Sequence, residues 1–236
     1  MFNQSAKYYD KIYAFKDYGT ESETLMAAIQ AHKRAEGTRL LDVACGTGKH
    51  LTYLKAHFAV EGLDLDPELL DIARAQHPEV PFHHGDMLDF TLDHSFEVVT
   101  CLFSSIGYVK TVGNLRQAIA CMARHLVPGG VLVVEPWFPP EAWHPGTVHA
   151  LFIDEPELKI ARVNTSFVDG RHSYFDLHYL IGTPEGTEHF VERHELGLFT
   201  QEEMREAFMD AGLAVVYDDE GLMGRGLYVG TSNPSP

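Results

Sequence analysis

Two glycines and one carboxylate have the types and spacing to bind an adenosine-bearing cofactor. Gly46 and Gly48 follow a hydrophobic run in Leu-Leu-Asp-Val-Ala-Cys-Gly-Thr-Gly, residues 40–48. Glycine allows the backbone to approach a ligand closely. A second hydrophobic run ends on Asp64, whose carboxylate could accept hydrogen bonds from both ribose hydroxyls. The pattern predicts a cofactor at the carboxyl ends of two adjacent parallel strands.

The residue after these glycines separates two kinds of cofactor. Leu51 stands where a dinucleotide-binding motif carries its third glycine. In that motif the glycine permits close packing of helix on strand beside a pyrophosphate. A nicotinamide-dependent oxidoreductase is therefore the weaker alternative, and a cofactor without a pyrophosphate fits better.

Three further side chains could serve a second substrate. Arg225 lies between Gly224 and Gly226, and a guanidinium can bind a diphosphate through two parallel hydrogen bonds. Trp137 could stack on a nucleotide base or simply pack within the fold. His178 lies in a segment of alternating hydrophobicity, and its ordinary pKa of about 6.5 suits a base better than that of tyrosine, about 10.

Composition excludes several classes of function. The chain has 236 residues, of which 45% are hydrophobic, and a formal net charge of −16 at pH 7. This charge argues against a nucleic-acid partner, because phosphate binding requires a basic surface. No apolar run approaches the roughly 20 residues that span a bilayer. The 3 cysteines and 14 histidines lack metal-ligand spacing, so we expect a cytoplasmic protein with no metal and no membrane contact.

The order of the predicted elements indicates an α/β fold. Hydrophobic strands alternate with helices up to residue 135, which predicts a parallel sheet with right-handed crossovers. A turn is predicted at 127–130, and a capping box at Thr20–Glu23 marks the first helix. The predicted strands are 39–44, 58–63, 81–84, 96–102 and 131–135, and the predicted helices are 20–35, 48–57, 67–76 and 112–125.

Helical periodicity disappears after Pro136. Four alternating segments, 148–153, 158–167, 172–181 and 189–198, predict an antiparallel sheet. A helix from Thr200 to Gly212 and strands 213–217 and 226–230 follow. We therefore predict a cofactor domain of residues 1–138 and 196–236, with an acceptor-binding insert at 139–195 over the carboxyl edge of the sheet.

These motifs resemble class I S-adenosylmethionine-dependent methyltransferases, in particular the N,N-dimethyltransferases of dTDP-3-amino-3,6-dideoxyhexoses in macrolide-antibiotic pathways. Residues 40–48, Val-Glu-Gly-Leu-Asp-Leu (60–65) and Gly-Asp-Met-Leu-Asp-Phe (85–90) carry the general part. Phe-Ser-Ser-Ile-Gly-Tyr (103–108), Glu-Pro-Trp (135–137) and Gly-Arg-Gly-Leu-Tyr (224–228) are more specific. The resemblance covers the whole chain and implies a doubly wound, mostly parallel, Rossmann-like sheet that binds S-adenosylmethionine.

The resemblance also implies roles for single residues. It assigns Asp86 and Met87 to the adenine, and it places Tyr108 close to the acceptor amine. Tyr108 and His178 are thus the two catalytic candidates. The full predicted cofactor set is Tyr9, Tyr18, Asp42, Ala44, Gly46, Gly48, Asp64, Leu65, Asp86, Met87, Phe103 and Ser104.

The implied acceptor is a small molecule, a dTDP-linked amino sugar bound by Trp137 and Arg225. A homodimer is consistent with the resemblance. Two alternatives in addition to the oxidoreductase stay open: the same methyl transfer to another small amine, and a non-catalytic cofactor-binding protein. The last is supported only by fold analogy.

Overall fold

The structure is a computed structural model that describes residues 4–233; residues 1–3 and 234–236, the ends of the predicted domain range, lie outside the described residues. It contains a seven-stranded sheet and a separate four-stranded sheet. This confirms the predicted α/β fold with an antiparallel insertion. Within the described residues, no helix is long and apolar enough to cross a membrane.

The large sheet is parallel except at one strand. Its strands are β1 (Arg39–Val43), β2 (Ala59–Asp64), β3 (Phe82–His84), β4 (Phe96–Cys101), β5 (Leu126–Val134), β10 (Leu213–Asp218) and β11 (Leu227–Ser232). Their order is β10-β11-β5-β4-β1-β2-β3, and β11 runs antiparallel to both of its neighbours. Every residue of β4 is buried, as expected for a strand with both faces covered.

Six α-helices lie among residues 4–233. They are α1 (Tyr9–Ile12), α2 (Tyr18–His32), α3 (Leu51–Leu54), α4 (Pro67–Gln76), α5 (Val112–Ala123) and α6 (Gln201–Asp210). The predicted starts of the helices at 67–76 and after Thr200 are confirmed. The Asp66 side chain accepts hydrogen bonds from two backbone N–H groups, and Thr200 forms a reciprocal capping box with Glu203.

The predicted start of the first long helix is wrong by two residues. The Asp17 carboxylate accepts from the Thr20 N–H, so Asp17 caps α2 and the helix begins at Tyr18. An aspartate before the proposed capping box offers a stronger acceptor than the threonine hydroxyl inside it. The helix predicted at 48–57 also shrinks to the single turn of α3.

The predicted turn at 127–130 lies inside a strand. β5 already pairs with β4 at Leu126, and the pairing register shifts before it resumes at Val131. Gly129 adopts a positive φ of 77°, and its carbonyl accepts from the N–H groups of Arg34 and Ala35. Pro128 and Gly129 therefore form a bulge within the strand, because a nearby chain segment satisfies the backbone that a turn would expose.

β1 lies at the point where the strand order reverses. It pairs with β2 on one side and with β4 on the other. The carboxyl ends of these strands diverge into opposite connections and leave a crevice, which is where ligands bind in open α/β sheets.

The four-stranded sheet consists of β6 (Val148–Glu155), β7 (Leu158–Asp169), β8 (His172–Thr183) and β9 (Gly186–Gly197). All its pairings are antiparallel. Leu177, Tyr179 and Ile181 of β8 are buried, whereas His178 and Leu180 between them are exposed. The sheet therefore has one inner and one outer face, with side chains alternating between them.

An amino-terminal segment that we did not predict joins the two sheets. Asp10 accepts hydrogen bonds from the Thr47 hydroxyl and the Gln76 amide, both at 2.6 Å. The Ser5 N–H donates to Glu192 of β9 at 2.9 Å. Ile12 is 1% exposed and packs in a hydrophobic cluster with residues of the inserted sheet. Residues 4–16 thus hold the insert against the cofactor crevice.

Candidate active site

A cavity of about 130 Å³ opens at the carboxyl ends of β1 and β2. Its walls include seven residues of the predicted cofactor set: Tyr9, Ala44, Gly46, Asp64, Leu65, Asp86 and Met87. An adjoining recess is lined by Tyr18, Asp42 and Phe103 of the same set, together with Tyr9 and Ala44. The structure therefore brings together ten of the twelve predicted positions.

Asp64 is held rigidly at the rim. Its Oδ2 accepts from the Gly46 N–H at 2.7 Å, and its Oδ1 accepts from the Asp66 N–H at 2.8 Å. The residue is 7% exposed, and burial raises its pKa while these N–H groups oppose the increase. The Asp64 carboxylate is thus a fixed hydrogen-bond acceptor at the tip of β2 that lines the cavity. Such an acceptor can bind the two hydroxyl groups of a ribose.

The rest of this cavity fits a purine. Asp86 supplies a carboxylate to the wall. The apolar part of the wall consists of Leu63, Leu65, Leu69, Met87, Leu88 and Val109. Pockets with mostly apolar walls and a few polar groups are typical of nucleoside sites. The residues present are compatible with the adenosine portion of S-adenosylmethionine.

Backbone strain is concentrated where β1 and β4 end. Ala44, Phe103 and Ser104 adopt positive φ values of 59°, 52° and 59°, which non-glycine residues rarely accept. Such conformations cost about 1–3 kcal/mol each and occur mainly at functional sites. Here they turn the chain away at the crevice, so that Phe103 lines both the recess and the larger cavity beyond it.

Buried charges lie beneath the recess. Lys16 and His50 both contact Glu21, at 3.0 Å and 2.9 Å, and Tyr18 packs edge-on against His50. Burial raises the pKa of Asp42 to about 6, although Thr100 donates a hydrogen bond to it. This network fixes Tyr18 beside the position predicted for the methionyl end of the cofactor.

A second cavity of about 560 Å³ lies between the crevice and the inner face of the inserted sheet. Aromatic side chains form much of its wall: Tyr13, Phe15, Phe103, Tyr108, Trp137, Phe138, Trp143 and Phe175. Trp137 donates from Nε1 to the Ser173 hydroxyl at 2.9 Å. Both residues predicted to bind the acceptor, Trp137 and Arg225, line this cavity.

Arg225 is positioned among these rings. Its guanidinium lies 5.6 Å from the centroid of Trp137 and 5.8 Å from that of Phe103. Its Nη1 donates to the Ser104 hydroxyl at 2.6 Å, and Ser104 in turn donates to the Pro136 carbonyl. No carboxylate of residues 4–233 lies within ion-pair distance of it, although its charge opposes the increase that burial causes in the pKa of Glu135.

Tyr108 lines both the cofactor cavity and the larger cavity. Its hydroxyl forms a 2.6 Å hydrogen bond with Nδ1 of His194 on β9. Burial raises the pKa of Tyr108 well above 10 and lowers that of His194 to about 4. Near neutral pH the pair is a phenol and a neutral imidazole. It can orient a bound group through hydrogen bonds but is poorly suited to removing its proton.

His178 does not belong to the site, and its prediction as a catalytic base is wrong. It lies on the outer face of β8, opposite Val163 and Val191 of the neighbouring strands, and its ring stacks on His189. The even-numbered residues of β8 point away from the cavity, whereas Phe175 and Leu177 point into it. The histidines of the inserted sheet that line the cavity are His149 of β6 and His194 of β9.

Two predicted cofactor residues, Gly48 and Ser104, do not line the cavities. The Gly48 N–H donates to the Cys45 carbonyl and closes the turn after β1, where its φ of 78° requires glycine. Ser104 is buried behind Phe103 and contacts Arg225 instead. Both shape the site without facing it.

Sequence reasoning missed several cavity residues. Among them are Tyr13, Arg162, Asn164, Ser166 and His194. The three on β7, Arg162, Asn164 and Ser166, are spaced by two, which is the signal that they share one face. Only the fold shows which of the two faces is the inner one.

The chain is similar to known methyltransferases. A family described as "Methyltransferase domain" matches residues 40–130. The chain is 42% identical to the dTDP-3-amino-3,6-dideoxy-alpha-D-glucopyranose N,N-dimethyltransferase of Streptomyces fradiae, over 95% of this chain and 89% of that protein. It is 41% identical to the dTDP-3-amino-3,4,6-trideoxy-alpha-D-glucopyranose N,N-dimethyltransferase of Streptomyces venezuelae, over 91% of each chain.

A solved structure extends this likeness to the fold. SAM-bound CalS10, an amino pentose methyltransferase from Micromonospora echinaspora, is 39% identical and superposes with a TM-score of 0.86. The match covers 99% of this chain and 98% of that chain. The likeness therefore includes the inserted sheet and is not confined to the cofactor-binding strands.

Proposed function

This chain belongs to the dTDP-amino-sugar N,N-dimethyltransferases, and we propose that it methylates the amino group of a dTDP-linked amino hexose. The cofactor is S-adenosylmethionine. One observation carries the choice of acceptor: at Tyr108 the nucleoside cavity meets an aromatic cavity containing an arginine that has no ion-pair partner among the described residues. The alternative of a nicotinamide-dependent oxidoreductase is set aside.

The protein contributes binding and alignment. When bound, S-adenosylmethionine supplies an electrophilic methyl group on a sulfonium. Asp64 binds the ribose, Asp86 and Met87 contact the adenine, and Tyr9 lies where the two cavities meet. Holding two reactants in the correct orientation lowers a barrier by several kcal/mol without a dedicated base.

Tyr108 orients the acceptor nitrogen. Because its phenol stays protonated, it acts as a hydrogen-bonding partner of the amine and not as a base. His194 fixes the direction of the Tyr108 hydroxyl. The acceptor amine therefore loses its proton to solvent before transfer, and its lone pair is then directed at the methyl group.

The nucleotide end of the acceptor lies at Arg225. A guanidinium surrounded by rings is less hydrated than one on the surface, and it binds a diphosphate through a planar pair of hydrogen bonds that lysine cannot make. Trp137, whose indole is fixed by Ser173, provides a flat apolar wall beside it. By analogy with the relatives, two methyl groups are transferred in succession.

The test is methyl incorporation into a purified nucleotide sugar. With S-adenosylmethionine and dTDP-3-amino-3,6-dideoxyglucose, we expect mass increases of one and then two methyl groups. Free amino sugars, amino acids and simple amines serve as parallel acceptors. If the enzyme methylates those amines but none of the nucleotide sugars, the proposed acceptor is wrong and the acceptor is a different small-molecule amine.

An Arg225→Lys variant tests the role of the guanidinium. We expect KM for the nucleotide sugar to rise about 10- to 100-fold, because one charge remains but the paired hydrogen bonds are lost. The affinity for S-adenosylhomocysteine should be unchanged. Arg34→Lys, at an exposed position, is the matched control. An unaltered KM in Arg225→Lys would contradict a diphosphate at this residue.

The proposal also covers the role of the insert, the oligomeric state and the cellular location. Residues 139–195 act as the acceptor-binding insert, supported by the inner face of their sheet lining the larger cavity. A homodimer and a cytoplasmic location stay predictions. Light scattering of the purified protein tests the first, and fractionation of the producing cells tests the second.

A further inference from the structure

Asn164 is a polar side chain that faces the larger cavity and has no hydrogen-bonding partner among residues 4–233. It is 8% exposed and lies on the inner face of β7, lining the cavity. Its amide makes no hydrogen bond to any side chain or backbone group within residues 4–233. The amide lines the cavity, so its N–H donors and its carbonyl oxygen are accessible to a ligand bound there.

Arg162 occupies the next inward position on the same strand. Its buried Nε also makes no hydrogen bond within the described residues. The guanidinium lies 5.7 Å from the centroid of Tyr13, and it acts electrostatically on His194, the partner of Tyr108. Asn164 and Arg162 therefore supply hydrogen-bond donors and one acceptor to the cavity that Tyr108 also lines.

This pair and Arg225 contact different parts of the cavity wall. Arg162 lies over Tyr13, whereas Arg225 lies over Phe103, and these two rings touch edge-on at a centroid distance of 5.1 Å. In a 3-amino hexose with its diphosphate on C1, the carbon on the far side of the amine from the diphosphate is C4. A diphosphate at Arg225 and an amine at Tyr108 leave C4 to be bound by another polar part of this cavity wall, and Arg162 and Asn164 of β7 are polar side chains of that wall.

We propose that Asn164, supported by Arg162, hydrogen-bonds a hydroxyl on C4 of the acceptor sugar. The enzyme then selects 3-amino-3,6-dideoxyhexoses, which carry this hydroxyl, over 3-amino-3,4,6-trideoxyhexoses, which lack it. An amide can donate to and accept from one hydroxyl. An acceptor without the hydroxyl leaves the buried amide unpaired, and this is the situation in which sites discriminate most strongly. The inference rests on the proposed function.

The two dTDP sugars named in the relatives above differ in this single hydroxyl and are the probes. For the unaltered enzyme, we expect kcat/KM to be about 10- to 100-fold higher for dTDP-3-amino-3,6-dideoxyglucose than for the 3,4,6-trideoxy compound. Asn164→Leu should lower kcat/KM for the 3,6-dideoxy sugar to the value for the 3,4,6-trideoxy sugar. It should leave kcat/KM for the 3,4,6-trideoxy sugar unchanged. Asn164→Ala repeats the test in case the larger side chain disturbs folding.

Thr165→Val, on the outer face of the same strand, is the matched control and should keep the full preference. The affinity of each variant for S-adenosylhomocysteine verifies that the fold is intact. Equal kcat/KM for the two sugars in the unaltered enzyme, or an unchanged preference in Asn164→Leu and Asn164→Ala, would overturn the inference alone. Methylation of neither sugar by an enzyme that binds S-adenosylhomocysteine would refute the proposed function and the inference with it.

Discussion

At the scale of single residues, Asp64 is the side chain predicted to bind the ribose. Both of its oxygens accept backbone hydrogen bonds, from Gly46 and Asp66, so the side chain is already oriented before a ligand arrives. It is also nearly buried, and each hydrogen bond it makes is therefore stronger than in water. Its geometry depends on two loops meeting at the tips of β1 and β2.

An Asp64→Asn substitution should weaken S-adenosylhomocysteine binding about 10- to 100-fold. The variant loses a charge, and its NH₂ group faces a backbone N–H that needs an acceptor. Isothermal titration calorimetry measures the effect. Asp71→Asn, whose side chain is 78% exposed, should bind normally. A dissociation constant within threefold of the unaltered protein would show that Asp64 does not contact the ribose.

The histidines of the insert form a second residue-scale contrast. His178 and His194 are both on the same sheet, but only His194 reaches Tyr108. We expect His178→Ala to retain full activity and His194→Phe to lower kcat about 10-fold or more, since the Tyr108 hydroxyl loses its fixed direction. Initial rates of the two variants and the unaltered enzyme, measured at saturating S-adenosylmethionine, test both expectations. Full activity of His194→Phe would remove the proposed positioning role.

The choice between these histidines was not accessible from the sequence. Both lie in alternating segments, and alternation identifies two faces without saying which face is covered. The histidine predicted as a base, His178, lies on the outer face. By contrast, Gly46, Asp64, Asp86 and Met87 follow strands of one parallel sheet, so their convergence could be predicted from strand order alone.

At the scale of elements, the amino-terminal segment is the least expected feature. It contains α1, and Tyr9 from this helix lines all three of the described recesses around the site. Asp10 attaches it to the turn after β1 through Thr47 and Lys49, the latter at 2.8 Å, and to α4 through Gln76. Short segments such as this lack the hydrophobic periodicity that would reveal them, because their contacts are with distant parts of the chain.

Removing this attachment should loosen the segment. In Asp10→Ala, three hydrogen-bonding partners lose their acceptor, and we expect about a 10-fold weaker affinity for S-adenosylhomocysteine because Tyr9 is no longer held over the cavity. Limited proteolysis should cut faster within residues 4–16. Lys11→Ala, which breaks only the exposed pair with Glu155, serves for comparison. Equal cutting rates in the two variants would contradict an anchoring role for Asp10.

At the scale of the whole molecule, the distribution of charge sets partner choice and pH response. The net charge is −16, yet the larger cavity contains two arginines, Arg162 and Arg225, that form no ion pair within residues 4–233. An acidic surface around a locally cationic cavity favours a compact anionic ligand over a polyanion such as nucleic acid. The overall charge thus limits nonspecific binding while the cavity supplies the attraction.

The buried His194 makes stability fall in mild acid. Its folded pKa of about 4 lies below the unfolded value of about 6.5, so below pH 6.5 the unfolded chain binds a proton that the native state does not. The stabilisation is complete above pH 6.5 and is lost as the pH falls. Asp42 acts in the opposite direction below pH 6, because its pKa is raised.

Urea denaturation of the unaltered protein and His194→Phe isolates this contribution. Between pH 7.5 and pH 5.5, the free energy of unfolding of the unaltered protein should decrease by about 1 kcal/mol more than that of the variant. Asp42 and all other groups are common to both proteins and cancel in the difference. Parallel pH profiles would show that His194 titrates normally in the native state.

The sequence by itself determined the cofactor half of this protein. Strand periodicity, two glycines and the carboxylate ending the second strand are local features, and parallel strands necessarily bring their carboxyl ends to one edge. The tertiary structure alone decided the acceptor half. Which face of the inserted sheet is inner, that His194 and Asn164 face the cavity, and that residues 4–16 join the two sheets all depend on contacts between segments distant in the chain. Local patterns cannot encode such contacts, because the same alternation is compatible with either face.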